Sequence, residues 1–194
     1  HSLRHGFRLL VLASTLLACT AQTTAPADTG RADVPAPKNR ESFHKQHAAN
    51  VERARQGDVD LLFMGDSITA GWKGNGKAVW QKHYAKYKAA NFGISGDGTQ
   101  HVLWRLENGE LDGIQPKVMV LLIGTNNTGS RDAAEIAAGV RRILDLTHQK
   151  SPQTKVLLLA VFPRGPRTNS AGQQDDVEKR MATIRALNPL LAQM

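Results

Sequence analysis

A single cysteine in 194 residues, Cys19, leaves no pair for a disulfide framework and no set for a multi-cysteine zinc site. No apolar run reaches the roughly 18 residues of a membrane-spanning helix. Aromatics are only 5% of the chain and no helix-turn-helix pattern is present, so nucleic acid is not an expected partner. The formal charge is +8, yet like charges occur only as pairs such as Arg141/Arg142 and Lys179/Arg180 on helix faces. A solvated basic surface accounts for that better than an anion-binding patch does. What the chain does have, 41% hydrophobic and 22% charged residues, is the composition of a globular protein, and its length allows one domain. No internal repeat is visible.

The amino end has a different character from the rest. Arg4 and Arg8 precede an apolar run from Leu9 to Ala18, interrupted only by Ser14 and Thr15. This is the anatomy of a signal peptide, too short to span a bilayer. Leu16-Leu17-Ala18-Cys19 resembles a bacterial lipobox, in which Cys19 carries the lipid. Residues 20–39 hold Pro26, Pro35 and Pro37 among Thr, Ala and Asp and read as a flexible linker. The expected division is therefore a lipoprotein-type signal peptide over 1–19, a linker over 20–39 and an α/β domain over 40–194. The expected location is outside the cytoplasm, anchored to a membrane through the Cys19 lipid or free in the periplasm or medium.

In the body, a polar helical pattern over 41–56 is followed by four apolar runs, each closed by Gly, Pro or Asn. They are Val59–Met64, Ala89–Phe92, Val118–Ile123 and Val156–Phe162. The last two hardly alternate, as strands buried on both faces of a parallel sheet do. Helical stripes lie between and after them: Val102, Leu103 and Leu106 behind Thr99; Ile136, Val140, Ile143, Leu144 and Thr147 behind Ser130; Val177, Met181, Ile184 and Leu191, with Pro189 expected to kink the last. Alternating strands and helices imply right-handed crossovers and a three-layer, doubly wound α/β domain.

Such sheets bind ligands beyond the carboxyl ends of their strands. The residues that follow the first three strands are Gly65-Asp66-Ser67, Gly93-Ile94-Ser95-Gly96-Asp97 and Gly124-Thr125-Asn126. They bring to one rim a hydroxyl nucleophile, a glycine N–H with no Cβ to keep a substrate away, and a side-chain amide. A serine attacks an ester only when a base removes its proton, and the resulting oxyanion needs fixed donors, each worth roughly 3–4 kcal/mol. Ser67, Gly96 and Asn126 fit the nucleophile and those donors, with the Ser67 N–H as a third donor.

Gly65-Asp66-Ser67, Gly96 and Gly124-Thr125-Asn126 resemble the first three blocks of the GDSL/SGNH hydrolases. Asn91–Asp97, His101–Leu106 through Gly109-Glu110-Leu111, and Pro163-Arg164-Gly165 are similar to its platelet-activating-factor acetylhydrolase-like branch. The resemblance runs over about residues 58–194. It implies a flavodoxin-like sheet of order 2-1-3-4 with a fifth strand still to come, a serine esterase without metal or cofactor, and catalytic roles for Ser67, Gly96 and Asn126. It also implies a small acyl pocket bordered by Ile68 and Thr125, and so acetyl or other short esters; an exported enzyme of this kind suits an acetylated carbohydrate. A homodimer is compatible with this reading.

The resemblance breaks off where the base should be. The family's histidine sits in an Asp-x-x-His block after a fifth strand, and no such block is read beyond Asn126 here. His148, the only histidine beyond Asn126, falls on the polar side of a helix, and His83 and His101 fall in helical patterns where surface or cap roles are expected. A non-catalytic lipoprotein that binds a glycan or a partner on an esterase-like fold is therefore the alternative. Gly71-x4-Gly76-Lys77 approaches a phosphate-binding loop but has Ala78 where Mg²⁺ needs a hydroxyl, and a flavodoxin-like phosphate site at Ser67, Thr69 and Gly71 leaves Gly96 and Asn126 without a purpose.

Overall fold

The computed structural model describes residues 30–166, 168, 172 and 174–194. The expected signal peptide, with Cys19, and the first half of the expected linker, residues 20–29, lie outside these residues. Four parallel strands, β1 (Leu61–Gly65), β2 (Ala89–Gly93), β3 (Val118–Leu122) and β4 (Lys155–Leu158), form one sheet in the order β2-β1-β3-β4. Around it run α1 (Glu41–Arg55), α2 (Ser67–Ala70), α3 (Lys77–His83), α4 (Thr99–Glu107), α5 (Ala133–Lys150) and α6 (Val177–Leu191). This is the α/β sheet and the strand order that the sequence implies. The helix starts differ slightly: Gly98 rather than Thr99 precedes α4, and Asp132 rather than Ser130 caps α5, accepting from the Glu135 N–H at 2.8 Å. Helix α6 continues through Pro189 to Leu191.

The two sheet faces are unequal. Leu62, Met64, Ala90, Phe92, Met119 and Leu121 point to one side. There they join Val102, Leu103 and Leu106 of α4, Ile136, Val140 and Ile143 of α5, and Ile184, Leu187 and Leu191 of α6 in a single core. The opposite face carries Phe63, Val120 and Leu157 in register across β1, β3 and β4. Phe63 is covered by Trp80 and Tyr84, with ring centroids at 5.0 and 5.1 Å. Leu157 is 54% exposed, and Phe162 beyond it 50%. The expectation that the fourth strand is buried on both faces is thus corrected. β4 is the sheet edge, and its residues are exposed or half-buried.

Residues 30–39 also depart from the sequence reading. Instead of ending a free linker, they form a strap across α4 and α5. Glu135 Oε1 accepts the Ala32 N–H at 2.7 Å, the Ala32 carbonyl accepts Thr99 Oγ1 at 2.5 Å, and the Gln100 carbonyl accepts the Ala36 N–H at 3.1 Å. Arg142 donates to the Asp33 carbonyl at 2.5 Å, and Ala32 and Ala36 are wholly buried. Gly139 makes this possible, because a Cβ there would sit 2.4 Å from the Ala32 carbonyl oxygen. Composition sees polar and proline-rich residues here and misses two alanines small enough to be docked by backbone hydrogen bonds.

Candidate active site

Strand β1 must end in glycine, since a Cβ at Gly65 would lie 2.3 Å from the Leu122 carbonyl and 2.4 Å from Thr69 Oγ1. Asp66 then turns the chain into α2, its carboxylate accepting the Ile68 N–H at 2.9 Å. Ser67 is the first residue of α2, exposed at the rim, and neither its hydroxyl nor its backbone N–H has a hydrogen bond among the described residues. After β2 the chain folds back on β1 through the Ile94 N–H to the Gly65 carbonyl, 3.1 Å, and turns at Gly96. Gly96 has φ +77°, a left-handed backbone that L side chains rarely adopt. Its N–H is exposed and likewise without a hydrogen bond among the described residues.

Asn126, two residues past Gly124, joins these loops. Its Nδ2 donates to the Asp97 carbonyl at 2.8 Å and lies 3.4 Å from Asp66 Oδ2. One amide thus touches the residue next to Gly96 and the residue next to Ser67, so the three strand ends converge as the topology requires. The neighbouring Asn127 serves the start of α4 instead, where it accepts the Thr99 N–H at 3.1 Å and donates to Gln100 at 3.0 Å.

Beneath the rim lies a buried charge cluster. Arg105 is fully buried, although it occupies the same helical stripe as Val102 and Leu106. Its guanidinium donates to the Phe92 carbonyl and to Glu110 Oε2, both at 2.7 Å, reaches the Gly65 carbonyl at 3.3 Å, and places Nε 2.9 Å from Asp97 Oδ2. Lys38, from the strap, puts Nζ 2.6 Å from Asp97 Oδ1 and donates to the Ser95 carbonyl at 2.9 Å. The Asp97 contacts are close in distance but not aligned as hydrogen bonds. Burial therefore outweighs attraction on both partners: it pushes the Asp97 carboxyl up despite Arg105 and Lys38, and the Lys38 ammonium down despite Asp97. Burial also raises Asp66 to about 6, against the pull of the Ile68 N–H.

The two expected acyl-pocket residues are placed apart in character. Ile68, 41% exposed, lines an apolar cleft of about 320 Å³ with Phe63, Trp72, Leu122, Leu157 and Phe162. Thr125 is buried, does not line that cleft, and its Oγ1 accepts from Arg164 at 2.9 Å. Arg164 also faces Asp175 at 3.5 Å. Among the described residues no cluster of His, Cys, Asp or Glu could hold a metal, and no helix is long and apolar enough to cross a membrane.

No histidine is hydrogen-bonded to Ser67 among the described residues. His101 Nδ1 accepts the Gly98 N–H at 2.8 Å, the cap role expected for it, and His83 is exposed at the end of α3. The Asp-x-x-His spacing does occur once beyond Asn126, at Asp145-Leu146-Thr147-His148. Both end residues are exposed on α5, and His148 lies in its last turn, the end away from the loops of Ser67, Gly96 and Asn126. The spacing is that of neighbours on a helix and not of a block following a strand.

Asp97, Arg105 and Lys38 are the residues that motif reading underrates. An arginine in an apolar helical stripe is a legible sign of a buried partner, whereas nothing local marks Lys38.

The comparisons with known proteins concern the family and the fold. Over 123 residues the chain is 40% identical to human platelet-activating factor acetylhydrolase IB subunit alpha1, covering 63% of this chain and 52% of that protein. Over 130 residues it is 40% identical to the alpha2 subunit of Rattus norvegicus, covering 67% and 56%. The chain thus spans about half the length of the curated relatives it matches. Among solved structures, a GDSL-like lipase from Bacteroides thetaiotaomicron superposes with TM-score 0.54 at 22% identity, covering 80% of this chain and 72% of that one. A member of the lipolytic G-D-S-L family from Veillonella parvula gives 0.53 at 18%, covering 70% and 71%. Both likenesses are of fold. Residues 63–192 match the GDSL-like Lipase/Acylhydrolase family from the middle of β1 to just past α6, a span that contains Ser67, Gly96 and Asn126. The chain belongs to that family.

Proposed function

We propose that this chain carries the nucleophile and oxyanion site of a serine esterase acting on short, above all acetyl, esters. The observation that carries this is the Asn126 amide, which ties the Ser67 loop to the Gly96 loop while two backbone donors beside it stay unbonded. In the reaction, Ser67 Oγ attacks the ester carbonyl and its proton passes to a base. The carbonyl oxygen becomes an oxyanion held by the N–H groups of Ser67 and Gly96 and by Asn126. The Asn126 hydrogen that now makes only the long contact to Asp66 is the one free to turn to it. Collapse of the intermediate expels the alcohol and leaves an acyl-serine, which water then cleaves.

Location and substrate belong to the same proposal. The signal-peptide pattern with Cys19 supports an exported, lipid-anchored protein, and an acetylated carbohydrate suits an esterase placed there. One observation favours a second reading, a glycan- or partner-binding role on the same fold: no described histidine stands at Ser67 to act as base. Hydrolysis of p-nitrophenyl esters of increasing chain length separates the two. Without an imidazole, the 194 residues should work barely above background, on binding and oxyanion stabilisation alone. A version lengthened by a strand and loop carrying Asp-x-x-His should gain several orders of magnitude, strongest on acetate. Ser67→Ala should abolish the gain, and Asn126→Ala should cut it about 10²-fold or more. A lengthened chain that binds acetylated glycans without Ser67-dependent turnover would establish the binding role.

A further inference from the structure

We propose that Lys38 is a positioning residue for the oxyanion site, clamping the Ser95–Asp97 turn so that the Gly96 N–H keeps its aim. The inference rests on the esterase reading above.

The turn is otherwise poorly held on its outer side. Ser95 and Gly96 are exposed, and Gly96 has a left-handed backbone and no side chain of its own to pack. From within, Arg105 meets Asp97 Oδ2, and Asn126 meets the Asp97 carbonyl. Both contacts act on Asp97, the last residue of the turn, whose N–H also closes the turn on the Ile94 carbonyl at 3.3 Å. Lys38 reaches the other end: its ammonium donates to the Ser95 carbonyl and contacts Asp97 Oδ1, bridging across Gly96. A Cβ built on Gly96 would come within 3.4 Å of Lys38 Nζ, which places the ammonium directly against the glycine.

The charge is spent on the loop and not on solvent, since the Lys38 side chain is only 14% exposed and that of Asp97 is fully buried. Lys38 can do this because the strap behind it is fixed to α4 and α5 through Ala32 and Ala36, and because its Nζ lies over the Phe43 ring, 5.6 Å from the centroid. A salt bridge serving stability alone would not need the Ser95 carbonyl. That contact fixes the peptide plane immediately before Gly96, which is the plane that carries the Gly96 N–H. An oxyanion donor stabilises the transition state only when its direction is set beforehand.

The test compares wild type with Lys38→Met and Lys38→Arg. Two quantities are read: hydrogen exchange of the Asp97 amide, whose N–H is held by the Ile94 carbonyl, and the Ser67-dependent rate on p-nitrophenyl acetate of the version lengthened by Asp-x-x-His, taken as the rate above that of its Ser67→Ala variant. Lys38→Met should speed exchange of the Asp97 amide while leaving β1, β3 and α5 as they were. It should lower Ser67-dependent kcat about tenfold with KM within about twofold, because the donor matters in the transition state and not for ground-state binding. Lys38→Arg, which keeps a donor and a charge, should recover part of both. Unchanged exchange of the Asp97 amide overturns the proposal, as does a loss of kcat accompanied by equally faster exchange throughout α4 and α5, which would mark a general loss of stability. If the lengthened protein and its Ser67→Ala variant hydrolyse the ester equally, the esterase reading fails, and exchange alone then decides whether Lys38 holds the turn.

Discussion

Replacing Arg105 with methionine should be among the most damaging single changes in this chain. The side chain is wholly buried, and its guanidinium serves the Phe92 and Gly65 carbonyls, Glu110 and Asp97. Methionine can fill much of the volume but none of these roles. Asp97 would keep Lys38, and Glu110 would keep His47 at 3.0 Å and Asn50 at 3.1 Å, so neither carboxylate is fully stranded. Removing one member of a buried ion pair costs about 3–5 kcal/mol, and a carbonyl left short of a donor adds about 1. A total of about 4–6 kcal/mol is a large part of the roughly 5–15 kcal/mol that holds a domain together. For a chain of this length it corresponds to a fall in Tm of about 10–20 °C, measurable by calorimetry or circular dichroism. Arg105→Lys, which keeps one charge but not the fork, should fall in between. A methionine variant that melts within about 3 °C of wild type would refute the reasoning, by showing that the cluster is not needed as a unit.

Two further predictions follow from burial and exposure. Asp66 binds its proton more tightly when folded, so stability should decline as pH rises from 3.8 to about 6, by at most about 3 kcal/mol. Asp66→Asn should flatten that decline in urea titrations, and an unchanged slope would assign it elsewhere. Leu157, exposed on an edge strand, should promote self-association; Leu157→Lys should lower light scattering at high concentration while changing stability by only about 0.5 kcal/mol. Equal scattering from both proteins would acquit the edge.

The sheet was legible because its strands announce themselves twice, by apolar runs and by the glycines that end them. Gly65, Gly93 and Gly124 mark where β1, β2 and β3 give way to loops, and those loops hold Ser67, Gly96 and Asn126. Strand β4 misled because periodicity reports the chemistry of side chains and not what covers them: Leu157 and Phe162 look like core residues and stand exposed. The strap was illegible for the opposite reason, since its contacts are mostly backbone and depend on partners such as Glu135 and Gly139 a hundred residues away. Thr125 shows the limit of carrying a role over by motif, as its hydroxyl is taken by Arg164, a residue that only the fold brings near.

That remoteness of the strap has a consequence for how the molecule assembles. Ala32 meets Glu135, and Asp33 meets Arg142, across separations of 103 and 109 residues. Closing so long a loop costs entropy before any contact returns it, and the surface that receives the strap does not exist until α4 and α5 have packed. The strap should therefore arrive late, after the folding transition state, and refolding rates of a variant that loosens it should match those of the parent while its unfolding rates rise. Contacts of that kind leave the folding rate almost untouched and act on the rate of unfolding. The first residues of the domain to be synthesised are thus the last to be seated, and the time the molecule stays folded depends on them more than the time it takes to fold.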